Sequence, residues 1–75
     1  MSDKRLSAKE SAVAAEIMNF IHENGFPPTV RELCAALGYS STSTVHYYLK
    51  RLSEARVISY EPSKPRTLVL QEGYI

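Results

Sequence analysis

The sequence predicts a mainly α (α+β) domain in which three helices are followed by a two-stranded β-hairpin. Apolar residues recur at helical spacing in three segments, and residues typical of helix ends flank those segments. Two short apolar runs near the C-terminus flank a segment with two prolines, which is typical of a hairpin. Because 44% of the 75 residues are apolar, we expect one compact domain over residues 1–75, with flexible ends at 1–6 and 71–75.

The first predicted helix begins near Ala8, because Ser7 and Glu10 have the spacing of a capping box. Gly25 stands where a left-handed residue would end this helix. Its apolar face is formed by residues three or four positions apart, namely Val13, Ile17, Phe20 and Ile21.

The second predicted helix follows Pro27 and Pro28, which hold the chain extended. Thr29 and Glu32 form a second capping-box pattern, and Gly38 ends the helix. Its apolar stripe consists of Val30, Leu33, Cys34 and Leu37.

The third predicted helix has Ser41 as its N-cap. Its apolar stripe consists of Val45, Tyr48, Leu49 and Leu52. Helical geometry places a polar set on the opposite face, namely Ser43, His46, Tyr47, Lys50 and Glu54.

The hairpin is predicted from "RVISY" and "RTLVL", which are joined by "EPSKP" and carry Lys64 and Arg66 near the tip. Three helices followed by a hairpin are the pattern of a winged helix-turn-helix. In this fold the second helix of the helix-turn-helix pair enters the DNA major groove. Serine, threonine and histidine on that helix can hydrogen-bond base edges or phosphates, and the helix N-terminus favours phosphate.

Charge distribution permits a polyanionic partner without requiring one. The net charge is only +1, but residues 31–66 hold six basic and three acidic side chains, whereas residues 1–30 hold three basic and four acidic ones. Lys64 and Arg66 on the hairpin could therefore contact the DNA backbone or minor groove.

Several protein classes are disfavoured by the composition. A single cysteine, Cys34, excludes an internal disulfide and a cysteine-rich metal cage, and its place on an apolar stripe predicts an inert core thiol. The two histidines and Cys34 lack metal-ligand spacing, so we expect no cofactor. No apolar run has membrane-spanning length, and no signal peptide or catalytic constellation is present. We expect a cytoplasmic, non-enzymatic protein without a small-molecule substrate.

From Leu6 to Leu70 the chain resembles the N-terminal DNA-binding domain of LexA-type SOS repressors. The resemblance lies in "PPTVRELCAALGYSSTSTVHYYLKRLSEARVI", followed by "PSKPRTLVL". It implies a bacterial or phage transcriptional repressor, associated with the nucleoid, that binds a half-site of a palindromic operator. The family's base-contacting positions fall on Ser41, Ser43, Thr44, His46 and Tyr47.

Two departures from the family pattern affect this expectation. Family repressors carry a second domain with a serine–lysine self-cleavage site and the main dimer interface. No part of these 75 residues corresponds to that domain, so self-cleavage is not predicted. Tyr47 is bulky for a base-facing position and could change the preferred sequence.

The predicted partners are double-stranded DNA and a second copy of the chain on an adjacent half-site. The predicted DNA-contacting residues are Arg31, Ser41, Thr42, Ser43, Thr44, His46, Tyr47, Lys50, Arg51, Lys64 and Arg66. A simpler interpretation remains for each: the hydroxyls could only cap the helix, and the charges could only solvate the surface. The alternative function is a winged-helix protein-interaction module, which an exposed patch of Tyr47, Tyr60 and Tyr74 would favour.

Overall fold

The computed structural model describes residues 6–61 and 63–71. Its elements are α1 (Ala8–Asn24), α2 (Val30–Leu37), α3 (Thr42–Glu54), β1 (Ile58–Ser59) and β2 (Val69–Leu70). The two strands are antiparallel and pair Ile58 with Leu70 and Ser59 with Val69. This order confirms the predicted winged helix-turn-helix, although the paired part of the hairpin is shorter than the two apolar runs.

Both predicted capping boxes are formed. In α1 the Ser7 hydroxyl accepts the Glu10 amide at 3.1 Å, and the Glu10 carboxylate accepts the Ser7 amide at 3.0 Å. In α2 Thr29 and Glu32 make the same two bonds at 3.1 and 3.0 Å. Each box satisfies two backbone N–H groups that the first helical turn leaves unpaired, so both helices start where the sequence indicates.

The two predicted glycine ends are also confirmed. The φ angles are 82° at Gly25 and 79° at Gly38, in the left-handed region that glycine adopts without steric cost. The chain therefore turns sharply after α1 and again between α2 and α3.

The end of α3 differs from the sequence-based expectation. Arg56, assigned above to the first strand-forming run, has φ 64° and lies in the turn instead. Its amide donates to the Ser53 carbonyl at 3.0 Å, and the Val57 amide donates to the Leu52 carbonyl at 2.9 Å. Val57 and Ile58 are only 5% and 1% exposed, so burying them requires the chain to reverse at Arg56.

The core lies between the three helices and the hairpin. Cys34 is buried there, and its thiol donates to the Tyr39 carbonyl with an Sγ–O distance of 3.1 Å, as expected for an inert core thiol. Tyr48 packs at the core edge, where its ring stacks with that of Tyr39. The buried apolar residues of the core include Val13, Ile17, Leu33, Val45, Leu49, Leu52, Ile58 and Leu68.

The two ends of the described chain are attached to the domain. Leu6 packs against the core, and the Gln71 amide donates to the Val57 carbonyl at 2.8 Å. The rest of the two ends predicted to be flexible, residues 1–5 and 72–75, lies outside the described residues.

Candidate nucleic-acid interface

The outward face of α3 is polar and open to solvent. All four residues from Ser41 to Thr44 are exposed, as are His46, Tyr47 and Lys50. At about 100° per residue, Ser43, Tyr47 and Lys50 fall within an arc of about 60°. The predicted outward face is therefore confirmed. At its start the Ser41 hydroxyl accepts the Ser43 amide at 3.1 Å, and the Tyr47 ring packs edge-on against the Tyr48 ring.

One flank of this face forms an open groove with α2 and the hairpin. Arg31 on α2, Thr42 and His46 on α3, and Lys64 on the hairpin all line it. Within residues 6–61 and 63–71, neither Arg31 nor Lys64 forms an ion pair. The groove thus has a cation on each of two walls and hydrogen-bonding side chains between them.

The hairpin tip, which we call the wing (residues 61 and 63–67), is stabilised by its own hydrogen bonds. The Lys64 amide donates to the Glu61 carbonyl at 3.0 Å. The Thr67 hydroxyl accepts the Glu61 amide at 2.8 Å and lies 3.2 Å from the carbonyl oxygens of Glu61 and Lys64. These bonds present Lys64 on a compact turn.

Arg51 lies on the other flank of α3, away from the groove. Its Nε donates to the Glu10 carboxylate at 2.6 Å, which joins α3 to the start of α1. Its guanidinium also lies 5.9 Å from the centroid of the Tyr47 ring, and Tyr47 is 57% exposed. Phosphate contact by Arg51 stays a prediction, but this side chain already has a carboxylate partner.

Arg66 points back onto the domain from the end of the wing. Its Nη1 and Nη2 donate to the two carboxylate oxygens of Glu32, each at 2.8 Å. Nη1 also donates to the Pro27 carbonyl at 3.1 Å, and the guanidinium lies 4.8 Å from the Phe26 ring centroid. Arg66 is therefore brought to the beginning of α2 and does not line the groove with Lys64.

The sequence pattern indicated Glu10 and Glu32 only as capping residues and not as arginine partners. They lie 41 and 34 residues from their arginines. No local spacing pattern connects residues so far apart, so no signal in the sequence could have identified these pairs.

Both glutamates have pKa values below the ordinary value of 4.5. The pKa of Glu32 is lowered chiefly by the hydrogen bonds from Arg66 and then by the Thr29 amide. The pKa of Glu10 is lowered chiefly by the Ser7 amide and then by Arg51. In each case the ionised carboxylate is favoured because it accepts hydrogen bonds in the folded state.

We expect the domain to become less stable as the pH decreases below 4.5, the ordinary pKa of these groups. Because the pKa values of Glu10 and Glu32 are lowered in the folded state, the ionised carboxylates contribute fully to folding stability above pH 4.5. This contribution is lost as the pH falls through the folded-state pKa values. Urea midpoints measured from about pH 6 to about pH 3 should decline, and Glu32→Gln should reduce that decline. An unchanged pH profile in the variant would contradict this assignment.

The exposed tyrosine patch that would favour a protein partner is not supported by the described residues. Tyr60 is half-buried against the core, and Tyr74 lies outside the described residues. No helix in the described part of the chain is long and apolar enough to cross a membrane. Residues 6–61 and 63–71 also contain no group of three or more potential metal-ligating side chains.

Comparisons with known proteins agree with this geometry. Residues 3–67 match a family described as the LexA DNA binding domain. The LexA repressor of Ruminiclostridium cellulolyticum is 43% identical over 65 residues, covering 87% of this chain and 30% of that protein. The LexA repressor of Lactobacillus acidophilus is 46% identical over 74 residues, covering 97% of this chain and 36% of that protein.

A third relative, the LexA repressor of Carboxydothermus hydrogenoformans, is 43% identical over 70 residues, covering 93% of this chain and 34% of that protein. The chain therefore spans about a third of the length of these curated relatives. The family match covers almost all of the described fold, from the cap of α1 to the end of the wing. Taken with the three helices, the hairpin and the exposed face of α3, these matches show that the chain belongs to the LexA DNA-binding domain family.

Proposed function

We propose that this chain is a sequence-specific, double-stranded DNA-binding module that represses transcription by occupying an operator half-site. The single observation that carries the proposal is the exposed polar face of α3, bordered by a groove with Arg31 and Lys64 on its walls. An α-helix with such a face fits the major groove, and cations beside it can contact the two phosphate backbones.

Base contacts are assigned to the first half of α3. Ser43, Thr44 and His46 are exposed and can donate or accept hydrogen bonds at base edges. Tyr47 adds a large exposed ring next to them, which suits contact with a thymine methyl group or a sugar. Ser41 caps the helix, and its position at the N-terminus favours a nearby phosphate.

Phosphate contacts are assigned to the cations around this face. Arg31 and Lys64 line the groove, and Lys50 is exposed on the outward face of α3. Each phosphate neutralised by such a side chain releases counterions, so affinity should fall strongly with salt. Thr42 also lines the groove and can donate to a phosphate oxygen.

A single module of this size buries about 600–1,000 Å² on DNA, so one copy should bind weakly. We therefore propose that tight repression requires two copies on adjacent half-sites of a palindromic operator. The proposal includes a setting in the cytoplasm of a bacterium, on chromosomal or phage DNA, with no catalytic role.

The replacement Ser43→Ala should weaken binding to the preferred duplex by about 1–3 kcal/mol and random duplexes much less. The Ser43 backbone amide, which completes the cap, is retained, and alanine favours the helix, so stability should not fall. Ser53→Ala is the matched control, since Ser53 is exposed near the other end of α3. Affinity would be measured on both duplexes at one salt concentration, and equal losses on both would remove Ser43 from the base-contacting set.

The whole proposal is tested by selecting bound duplexes from a random pool at several salt concentrations. We expect a recurrent, palindromic sequence and an affinity that decreases with salt. If the full chain retained no duplex even at low salt, DNA binding would be rejected in favour of the protein-interaction alternative.

A further inference from the structure

The contacts of Arg66 point to a role other than contact with DNA. We infer that Arg66 is a positioning residue that ties the wing to the start of α2 and so holds Lys64 opposite Arg31. This inference rests on the proposed function and refines it. It replaces the phosphate contact expected for Arg66 with an internal one.

The guanidinium of Arg66 is already occupied on three sides. Two parallel N–H bonds reach the Glu32 carboxylate, a third reaches the Pro27 carbonyl, and one face covers the Phe26 ring. Parallel bonds between an arginine and a carboxylate are charge-assisted and directional. These bonds use three of the five guanidinium N–H groups, so a phosphate could reach only the remaining two unless it displaced Glu32 or Pro27.

Glu32 serves both elements at once. Its Oε1 accepts the Thr29 amide at 3.0 Å, which caps α2, and the Arg66 Nη1 at 2.8 Å, which holds the wing. The same carboxylate therefore joins the first turn of the helix that carries Arg31 to the segment that carries Lys64. A shift of Arg66 would move one wall of the groove relative to the other.

Among the described residues 61 and 63–67, few other contacts attach the wing near its tip. Each strand of the hairpin pairs only two residues, and the hydrogen bonds of Thr67 stay within the wing. Leu68 is buried and anchors the base of the wing, whereas Ser63, Lys64 and Pro65 are exposed. Arg66 also has a left-handed φ of 58°. A residue other than glycine keeps this conformation only where surrounding contacts hold it, so the bonds to Glu32 and Pro27 also support the backbone at Arg66.

Glu32→Gln separates the two possible roles of Arg66 by the sign of its effect. If Arg66 contacted phosphate, removing a negative charge and releasing the guanidinium would leave DNA binding unchanged or make it tighter. If Arg66 positions the wing, the same change should weaken binding, by about three- to hundredfold. Glutamine can still accept the Thr29 amide, so the cap of α2 is kept.

Arg66→Lys is the companion variant, because it keeps the charge but loses the parallel bonds and the flat face over Phe26. It should weaken binding to a similar extent, and the double variant should be no weaker than either single one. Lys64→Ala serves as the phosphate-contact comparison, since it should lower the slope of log affinity against log salt by about one.

Amide hydrogen exchange of the wing in the full, DNA-free chain gives a readout that does not depend on DNA. The Lys64 amide should exchange faster in Glu32→Gln and Arg66→Lys but keep its rate in a control, Lys50→Ala. Unchanged or tighter DNA binding by Glu32→Gln would overturn the inference, as would unchanged exchange. If the wild-type chain bound no duplex, the proposed function itself would fail. Faster exchange of the Lys64 amide in Glu32→Gln and Arg66→Lys would then show that the tether exists without the DNA-binding role.

Discussion

Two copies of this chain joined at their C-termini should bind a palindromic duplex about 10²- to 10⁴-fold more tightly than one copy. The gain arises because the second copy binds at a high effective concentration once the first is bound. No new protein–DNA contact is needed. Half-sites one helical turn apart have centres about 34–36 Å from each other.

The join can be made by a flexible Gly/Ser extension of about 18 residues after Ile75, ending in a cysteine. The two extensions then total about 36 residues, with a root-mean-square length of about 33 Å, which matches the distance between half-sites. The natural Cys34 is only 7% exposed, so the added thiol should be the one that forms the intermolecular disulfide.

The matched control is the same extended chain with its added thiol alkylated, which keeps the sequence but prevents joining. A second control is a duplex whose half-sites are moved apart by about half a helical turn, which places them on opposite faces of the DNA. Affinities would be compared in titrations at one salt concentration. Equal affinity of joined and alkylated chains for the palindrome would contradict the two-copy proposal.

Leu49→Ala should destabilise the domain by about 2–5 kcal/mol, the range for truncating a buried leucine. Leu49 is completely buried in α3 and belongs to the cluster that joins this helix to α1, α2 and the hairpin. A 75-residue domain has a total stability of about 4–11 kcal/mol, so this loss is a large fraction of it. The urea midpoint followed by far-ultraviolet circular dichroism would measure the effect.

Lys50→Ala is the matched control for this prediction, because Lys50 is the next residue and is exposed on the polar face. It should change stability by no more than about 0.5 kcal/mol. Equal destabilisation by the two variants would show that the two faces of α3 are not divided as the structure describes.

Local chemistry made most of the helical framework predictable. Ser7 with Glu10 and Thr29 with Glu32 lie three residues apart, so each capping box is complete within one stretch of sequence. Gly25 and Gly38 mark helix ends because glycine tolerates the left-handed conformation. By contrast, the turn at Arg56 after α3 was not predictable, since it depends on burial of Val57 and Ile58.

In the candidate site too, some features follow from local sequence and others depend on tertiary contacts. Helical periodicity alone determined that Ser43, His46 and Lys50 share the outward face of α3, because that face is a property of one segment. Only the tertiary structure decided that Arg51 pairs with Glu10 and that Arg66 pairs with Glu32 outside the groove. These contacts join residues far apart in the chain. The sequence shows that each arginine is charged, but it does not show whether its partner is a phosphate or a carboxylate.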